Sequence, residues 1–292
     1  MLESIGHEKI KMELKNSVMS GTVNHAYLFS GRNGIGKKLV ATEFAKMILC
    51  ENPSDSGFCK SCESCRTFGN NKDFNIIEPE KDAIKVDVIR KDIILELFLK
   101  PTTSSKKVFI INDAEMMNEQ AQNALIKSLE EPPLYATIIL ITSNKEKLLG
   151  TIKSRVTEVK FEGLTKKQIE GIIKKEITDE IYRFSKGSAK EALEIETNEN
   201  YIVAKEIAAV LEEKDFFKIN RKLEEIKENK TLKSNITDIL QKVIYVLSDK
   251  LKTKPGFNFK TIESANEALQ KIKRNANVDM SLDVLSIDVC EM

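Results

Sequence analysis

The 292-residue sequence has no Trp, only two His, and almost no excess of either charge: 46 Lys and Arg stand against 45 Asp and Glu, a formal net of +1. The balanced charge excludes an overall field that would pull the chain onto nucleic acid or an anionic membrane, so any DNA contact must be local or shared with partners. No apolar run approaches the length of a membrane span, about 18 residues, and residues 1–11 lack an apolar core of signal-peptide length. The expectation is a soluble, cytoplasmic chain with no membrane partner. His7 and His25 are isolated and read as packing or surface residues; the lack of Trp decides nothing.

The length is about twice the most common domain size, so two or three compact units are expected. The first half alternates short β-rich apolar runs with helical patterns, as a parallel sheet flanked by helices requires. Strands are expected at Ala26–Ser30, Asn75–Glu78, Lys107–Asn112, Thr137–Thr142 and Thr157–Phe161. Between them, Val86, Ile89, Ile93 and Leu97 recur at helical spacing, as do Ala121, Ala124, Leu125 and Leu129 after a possible N-cap at Asn118. After Phe161 the pattern becomes helix after helix, opened by a Thr165/Gln168 capping box. From about Asn198 onward a third, charged helical unit carries the stripe Ile236, Ile239, Leu240, Val243, Ile244 and Leu247, broken at Lys254-Pro255-Gly256. The lysine pairs Lys106-Lys107, Lys166-Lys167 and Lys174-Lys175 read as solvated faces.

Gly31-Arg32-Asn33-Gly34-Ile35-Gly36-Lys37 follows a strand and opens a helix, the context of a phosphate-binding loop. Gly31, Gly34 and Gly36 let backbone N–H groups curl around a phosphate, and Lys37 supplies positive charge. A Ser or Thr that would ligate magnesium should follow, but the residue is Lys38, whose ammonium cannot hold a cation. The second half of such a site is an Asp then a Glu at a strand end; here Asn112 takes the magnesium position and Asp113 the water-activating one. Strand alternation is expected to turn Asp113 away from the vacancy at 112. The other reading of the loop is a glycine-rich turn with no ligand.

Cys50, Cys59, Cys62 and Cys65 are spaced C-x8-C-x2-C-x2-C. Four thiolates without His match a closed, structural zinc site, and the absence of an export signal disfavours a disulfide framework. An iron–sulfur cluster is the alternative, although the downstream Cys-Pro of ferredoxins is missing. Cys290 has no such company.

The run Asn123-Ala-Leu-Ile-Lys-Ser-Leu-Glu-Glu-Pro-Pro133 sets Glu130 and Glu131 where a helix dipole disfavours negative charge. It resembles the NALLKTLEEPP signature of bacterial clamp-loader subunits of the AAA+ family, both the gamma/tau ATPase and its delta-prime relative. The likeness extends through His25–Ser30, the cysteine insertion, a sensor-one-like Thr142-Ser143-Asn144, and Thr151–Val156, covering about residues 1–200.

The resemblance implies an α/β fold: an AAA+ P-loop-type parallel sheet with flanking helices over 1–162, bearing the zinc insertion at 50–65. A small helical lid domain at 163–197 and a helical oligomerisation collar at 198–292 would follow. Ser154-Arg155-Val156 resembles the family's Ser-Arg-Cys motif, whose arginine is presented to ATP in the neighbouring subunit. Lys190 stands where active subunits place the sensor-two arginine, which reads as further decay or as a capped surface helix.

Because the magnesium positions are lost while the insertion and Arg155 remain, the resemblance points to the delta-prime type of DNA polymerase III clamp-loader subunit. Its expected role is to assist ATP-dependent loading of the sliding clamp onto primed DNA, beside gamma/tau and delta subunits. No ATPase of its own and no magnesium-dependent hydrolysis are expected, with ATP or ADP binding left open. The competing readings are an active gamma/tau-like ATPase and a zinc-dependent DNA-binding protein.

Overall fold

The computed structural model describes residues 4–80, 83–195, 197–253 and 259–291. They fall into two compact units, Met1–Ile177 with Ser185–Lys190, and Thr178–Phe184 with Glu191–Met292.

The first unit is built on five parallel strands: β1 (Ala26–Ser30), β2 (Phe74–Ile77), β3 (Lys107–Ile111), β4 (Ala136–Thr142) and β5 (Thr157–Lys160), in the spatial order β2-β3-β4-β1-β5. Each expected strand is present to within a residue or so at its ends. The three inner strands are buried throughout, as a sheet covered on both faces demands. Alternation sorts their side chains into two cores. Leu28, Phe109, Ile111, Ile138 and Leu140 meet Ile89, Ile93, Leu97, Ala121, Leu125 and Leu129 on one face. Tyr27, Phe29, Val108, Ile110, Ile139 and Ile141 meet Leu14, Val40, Phe44 and Ile48 on the other. The α/β class with flanking helices read from the sequence is therefore the observed one.

Local signals do much of the placement. The Glu119–Glu130 helix starts where the Asn118 side chain accepts from the Ala121 N–H at 2.8 Å. The Thr165/Gln168 capping box is made in both directions, at 3.3 and 2.9 Å. The helix over Val86–Leu97 differs from the expected α form. After one α turn it widens into π turns over Ile89–Leu95, yet Ile89, Ile93 and Leu97 are all buried. Both helix types bring residues four apart onto one side, so the apolar spacing does not distinguish them.

Lys107 is a second correction. It lies within β3 and is only 2% exposed, its Nζ donating to the Glu96 carbonyl at 3.0 Å and facing the Glu96 carboxylate at 3.4 Å. Its neighbour Lys106 is exposed, because successive strand residues face opposite ways.

The second unit is helical. Asn198 caps the Glu199–Glu213 helix by accepting from the Tyr201 N–H at 3.0 Å. The predicted stripe on the Ile236–Thr253 helix is buried at Ile236, Ile239, Leu240, Val243 and Leu247. Arg183 forks onto Asp249, with Nη2 to Oδ2 at 2.8 Å, and Tyr201 donates to Glu180 at 2.7 Å. The break expected at Lys254-Pro255-Gly256 lies outside the described residues. No helix among the described residues is long and apolar enough to cross a membrane.

Candidate functional site

In a parallel sheet all strands end at one edge, and the loops leaving them converge there. Strand β1 delivers Gly31–Lys37, β3 delivers Asn112 and Asp113, and β4 delivers Thr142–Asn144. The loop needs its glycines: Gly34 and Gly36 have φ of 74° and 99°, a region that side chains disfavour. A Cβ on Gly34 would also strike Ser188 Oγ and come within 2.7 Å of Lys190 Cβ. The segment 188–190 sits directly on the loop, its Ala189 and Lys190 N–H groups donating to the Gly34 carbonyl at 3.1 and 3.4 Å.

Beside the loop is a cavity of about 630 Å³ lined by Gly34, Gly36, Lys37, Lys38, Asn112, Asp113 and Lys190, among others. A larger hollow of about 720 Å³ follows the Glu8–Met19 helix and β5, and it gathers neither the glycine loop nor the thiols. Lys37 is buried, its Nζ donating to the Gly31 and Arg32 carbonyls, each at 2.6 Å. Burial pushes its ammonium down from the ordinary lysine range, against the pull of Glu115 and Asp113. Lys38 is ion-paired to Glu78, just past β2, at 2.6 Å.

The expectation that Asp113 turns away from Asn112 is not met. The strand ends at Ile111 and Asp113 adopts φ 49°, ψ 50°; outside the strand, alternation no longer governs direction. Asn112 Nδ2 donates to Asp113 Oδ2 at 3.0 Å, and both line the loop cavity. Burial and then Glu115 raise the Asp113 carboxyl above its usual value, with Lys37 opposing. Glu115, which the sequence reading passed over, accepts from the Ser143 N–H at 2.9 Å and from its hydroxyl. It thereby ties the β3 loop to the end of β4.

The four cysteines converge: their Sγ atoms all lie within 4.8 Å of one another. Cys50 ends the Lys37–Leu49 helix and Cys62 caps the short Glu63–Arg66 helix. Between them Lys60 takes φ 62°, turning the chain so that the Cys62 N–H donates to Cys59 Sγ at 3.3 Å, while the Cys59 N–H donates to Cys50 Sγ at 3.2 Å. The Ser61 hydroxyl and the Cys62 N–H bring the Cys59 thiol down to about 5, whereas burial raises the Cys50 and Cys65 thiols. Metal–sulfur bonds of about 2.3 Å set tetrahedral sulfurs slightly under 4 Å apart, and Cys59 and Cys65 Sγ are 3.9 Å apart. The donor set fits a metal such as zinc.

Arg155 lies beyond the Gly150–Lys153 helix and is neither among the residues lining the loop cavity nor in the thiol cluster. Its Nη1 donates to the Thr151 carbonyl at 2.9 Å and to Ser154 Oγ at 3.2 Å, and its Nη2 to the Glu130 carboxylate. The unfavourably placed Glu130 thus has a local cation partner, a pairing that its awkward position on the helix could have suggested. His7 packs edge-on to Phe161 and its Nε2 meets the Ile35 carbonyl at 2.7 Å, so it braces the loop. Cys290 is half-buried near the Lys214 carbonyl, within the second unit.

Comparison with known proteins gives this geometry a lineage. DNA polymerase III subunit delta' of Pseudomonas aeruginosa is 38% identical over 138 residues, 46% of this chain and 42% of that protein. Subunit tau/gamma of Haemophilus influenzae is 33% identical over 177 residues, 60% of this chain and 26% of that protein. The chain thus spans less than half the length of either relative. The solved DNA polymerase III gamma subunit-related protein of Thermotoga maritima shares the fold, at 23% identity and a TM-score of 0.56, covering 96% of this chain and 98% of that one. The sequence model of the family described as DNA polymerase III, delta subunit, matches residues 6–165, more than half of the chain, and the chain belongs to that family.

Proposed function

We propose that this chain is a non-hydrolysing, delta-prime-type subunit of a DNA polymerase III clamp loader. In that role it assists ATP-dependent loading of the sliding clamp onto primer-template DNA beside gamma/tau and delta subunits. The observation that carries the reading is at the loop. Lys38, at the position of the magnesium-ligating hydroxyl, is ion-paired to Glu78, and Asn112 stands where the magnesium-holding Asp is expected. Generic electrostatics support it: at an effective dielectric of 20, an ammonium and a dication 4 Å apart repel by about 8 kcal/mol, twice the unit-charge value.

On this reading Gly31, Gly34, Gly36 and Lys37 are a retained but degenerate phosphate loop, and Cys50, Cys59, Cys62 and Cys65 hold a structural zinc. Arg155 acts in trans on ATP held by a neighbouring subunit, released from Glu130 when that subunit docks. The 1–162, 163–197 and 198–292 division supplies the nucleotide-binding-like, lid and collar parts. Reconstitution with a gamma-type ATPase and a delta subunit tests it, with ATP turnover read in the presence of clamp and primed DNA. Arg155→Ala should slow turnover by about 10³-fold, as loss of an arginine finger does elsewhere, while Lys37→Ala should leave it unchanged. Unchanged turnover in the Arg155 variant removes the trans role.

A second reading, a gamma/tau-like ATPase, is favoured by one feature: Asp113 shares the cavity with Lys37. It requires hydrolysis by the chain alone, lost in Lys37→Ala.

A further inference from the structure

The Val278–Cys290 helix carries apolar residues on both of its sides, the pattern of a helix enclosed in a core. Only one side is enclosed. Leu282, Leu285 and Val289 are buried, with the small residues Ser281 and Ser286 beside them, and the helix packs on the Phe216–Glu228 and Phe259–Lys273 helices of the same unit. The opposite side is bare: Met280, Val284 and Ile287 are 68%, 37% and 44% exposed. At 3.6 residues per turn these three form one stripe along the axis, so they make a continuous face rather than scattered surface residues. Where the helix ends, Cys290 Sγ approaches the Lys214 carbonyl at 3.8 Å, and Phe217, at the start of the Phe216–Glu228 helix, is 84% exposed.

The charges beside the stripe decide what fits it. The same helical geometry puts Asp283 on one flank and Asp288 on the other, and the helix has no Lys or Arg. Lys227 reaches Asp283 at 2.5 Å but is shared with Glu224 at 2.7 Å, so that flank stays acidic. A second copy of this face would set Asp283 and Asp288 against the same residues, and like charges across an interface repel. The sign is equally wrong for a phosphate backbone. An apolar stripe between acidic borders is complementary to a helix whose own apolar stripe is bordered by Lys or Arg, because border charges set partner choice between paired helices. Met280 adds a flexible thioether that adapts to the partner's side chains.

We infer that the Met280, Val284 and Ile287 face docks an amphipathic, basic-bordered helix of another chain. The inference stands apart from the loader reading, since it uses only this helix and the charges around it.

The test is fluorescence anisotropy of the full chain with two labelled synthetic helices of equal length, each with a leucine stripe, one bordered by lysines and the other by glutamates. The lysine-bordered helix should bind at least about tenfold more tightly, and its affinity should fall as salt is raised above about 0.15 M. Ile287→Lys sets a cation in the middle of the stripe and should weaken binding by more than about tenfold. Its melting temperature should match the unaltered chain's, because the side chain it replaces faces solvent; Val284→Lys is the second variant should Ile287→Lys fail to fold. Asp288→Lys should shift preference toward the glutamate-bordered helix. Equal binding of the two helices overturns the inference, as does binding unchanged in both stripe variants or no binding of either helix at millimolar concentration. Self-association of the unaltered chain by sedimentation, lost in Ile287→Lys, makes the occupant a second copy and also overturns it. None of these results bears on ATP turnover, so the loader reading is decided separately.

Discussion

The cysteine insertion and the phosphate loop lie at opposite ends of one helix, Lys37–Leu49, and they differ in how well their side chains suit a metal. At Cys50–Cys65 four donors converge and their supports are in place: the left-handed Lys60 and two N–H groups aimed at sulfur. At the loop the supports are present, namely Gly34, Gly36 and the His7 brace on Ile35, while Lys38 and Asn112 stand where the proposed reading expects magnesium ligands. On the proposed reading, the contrast teaches that a framework can be retained without its metal chemistry when its residues also hold the fold. Gly34 is such a residue, because the chain at 188–190 packs on it.

The comparison breaks most readily at the insertion. Replacing Cys59 and Cys62 together by Ser should remove the bound metal, about one ion per chain by elemental analysis, and make residues 50–71 the first site of protease cleavage. A structural zinc contributes on the order of 10 kcal/mol in small metal-stapled peptides, so this effect should exceed any made at the loop. Metal content unchanged in the double variant would show that the thiols are not its ligands.

A smaller effect is expected at Asp73, which couples the insertion to the sheet. Its buried carboxylate accepts from the Thr102, Thr103 and Ser104 N–H groups at 2.7 to 3.1 Å, and Ser104 Oγ meets Ser64 of the insertion at 2.7 Å. Burial alone would raise the Asp73 carboxyl, but those N–H groups and Lys107 hold it below its ordinary value. A depressed folded value means stability that is present above the unfolded value, about 3.9, and lost as pH falls through the folded one. Asp73→Asn should therefore lower the melting temperature at pH 7 and flatten the fall in stability below about pH 4. An acid profile parallel to the unaltered chain's would contradict this role.

The smallest effect is expected at Glu130. Its bond to Arg155 is partly exposed, at 44% and 32%, and exposed pairs contribute about 0–1 kcal/mol. Glu130→Gln should leave the melting temperature within about a degree or two, on the scale of such pairs. If Arg155 must leave Glu130 to act in trans, the same change should raise loader turnover modestly.

Much of this was legible in the sequence because it is written in local patterns. The strands, the Asn118 cap and the Thr165/Gln168 box depend on neighbours within a few residues, and the four cysteines were found by spacing alone. Other features were set by distant partners. Lys107 was read as solvated because nothing nearby shows that Glu96 will cover it. Strand alternation misplaces Asp113 because it lies two residues beyond the end of β3 at Ile111, in a left-handed turn. Glu78 as the partner of Lys38 depends on β2 and the loop helix meeting across forty residues, which no local pattern encodes.

The most direct test of the central claim is ATP turnover by the purified full chain in magnesium with primed DNA, alongside Lys37→Ala. The account predicts no phosphate release above background from either protein. DNA-stimulated hydrolysis by the unaltered chain that disappears in Lys37→Ala would contradict it and make the subunit a working ATPase.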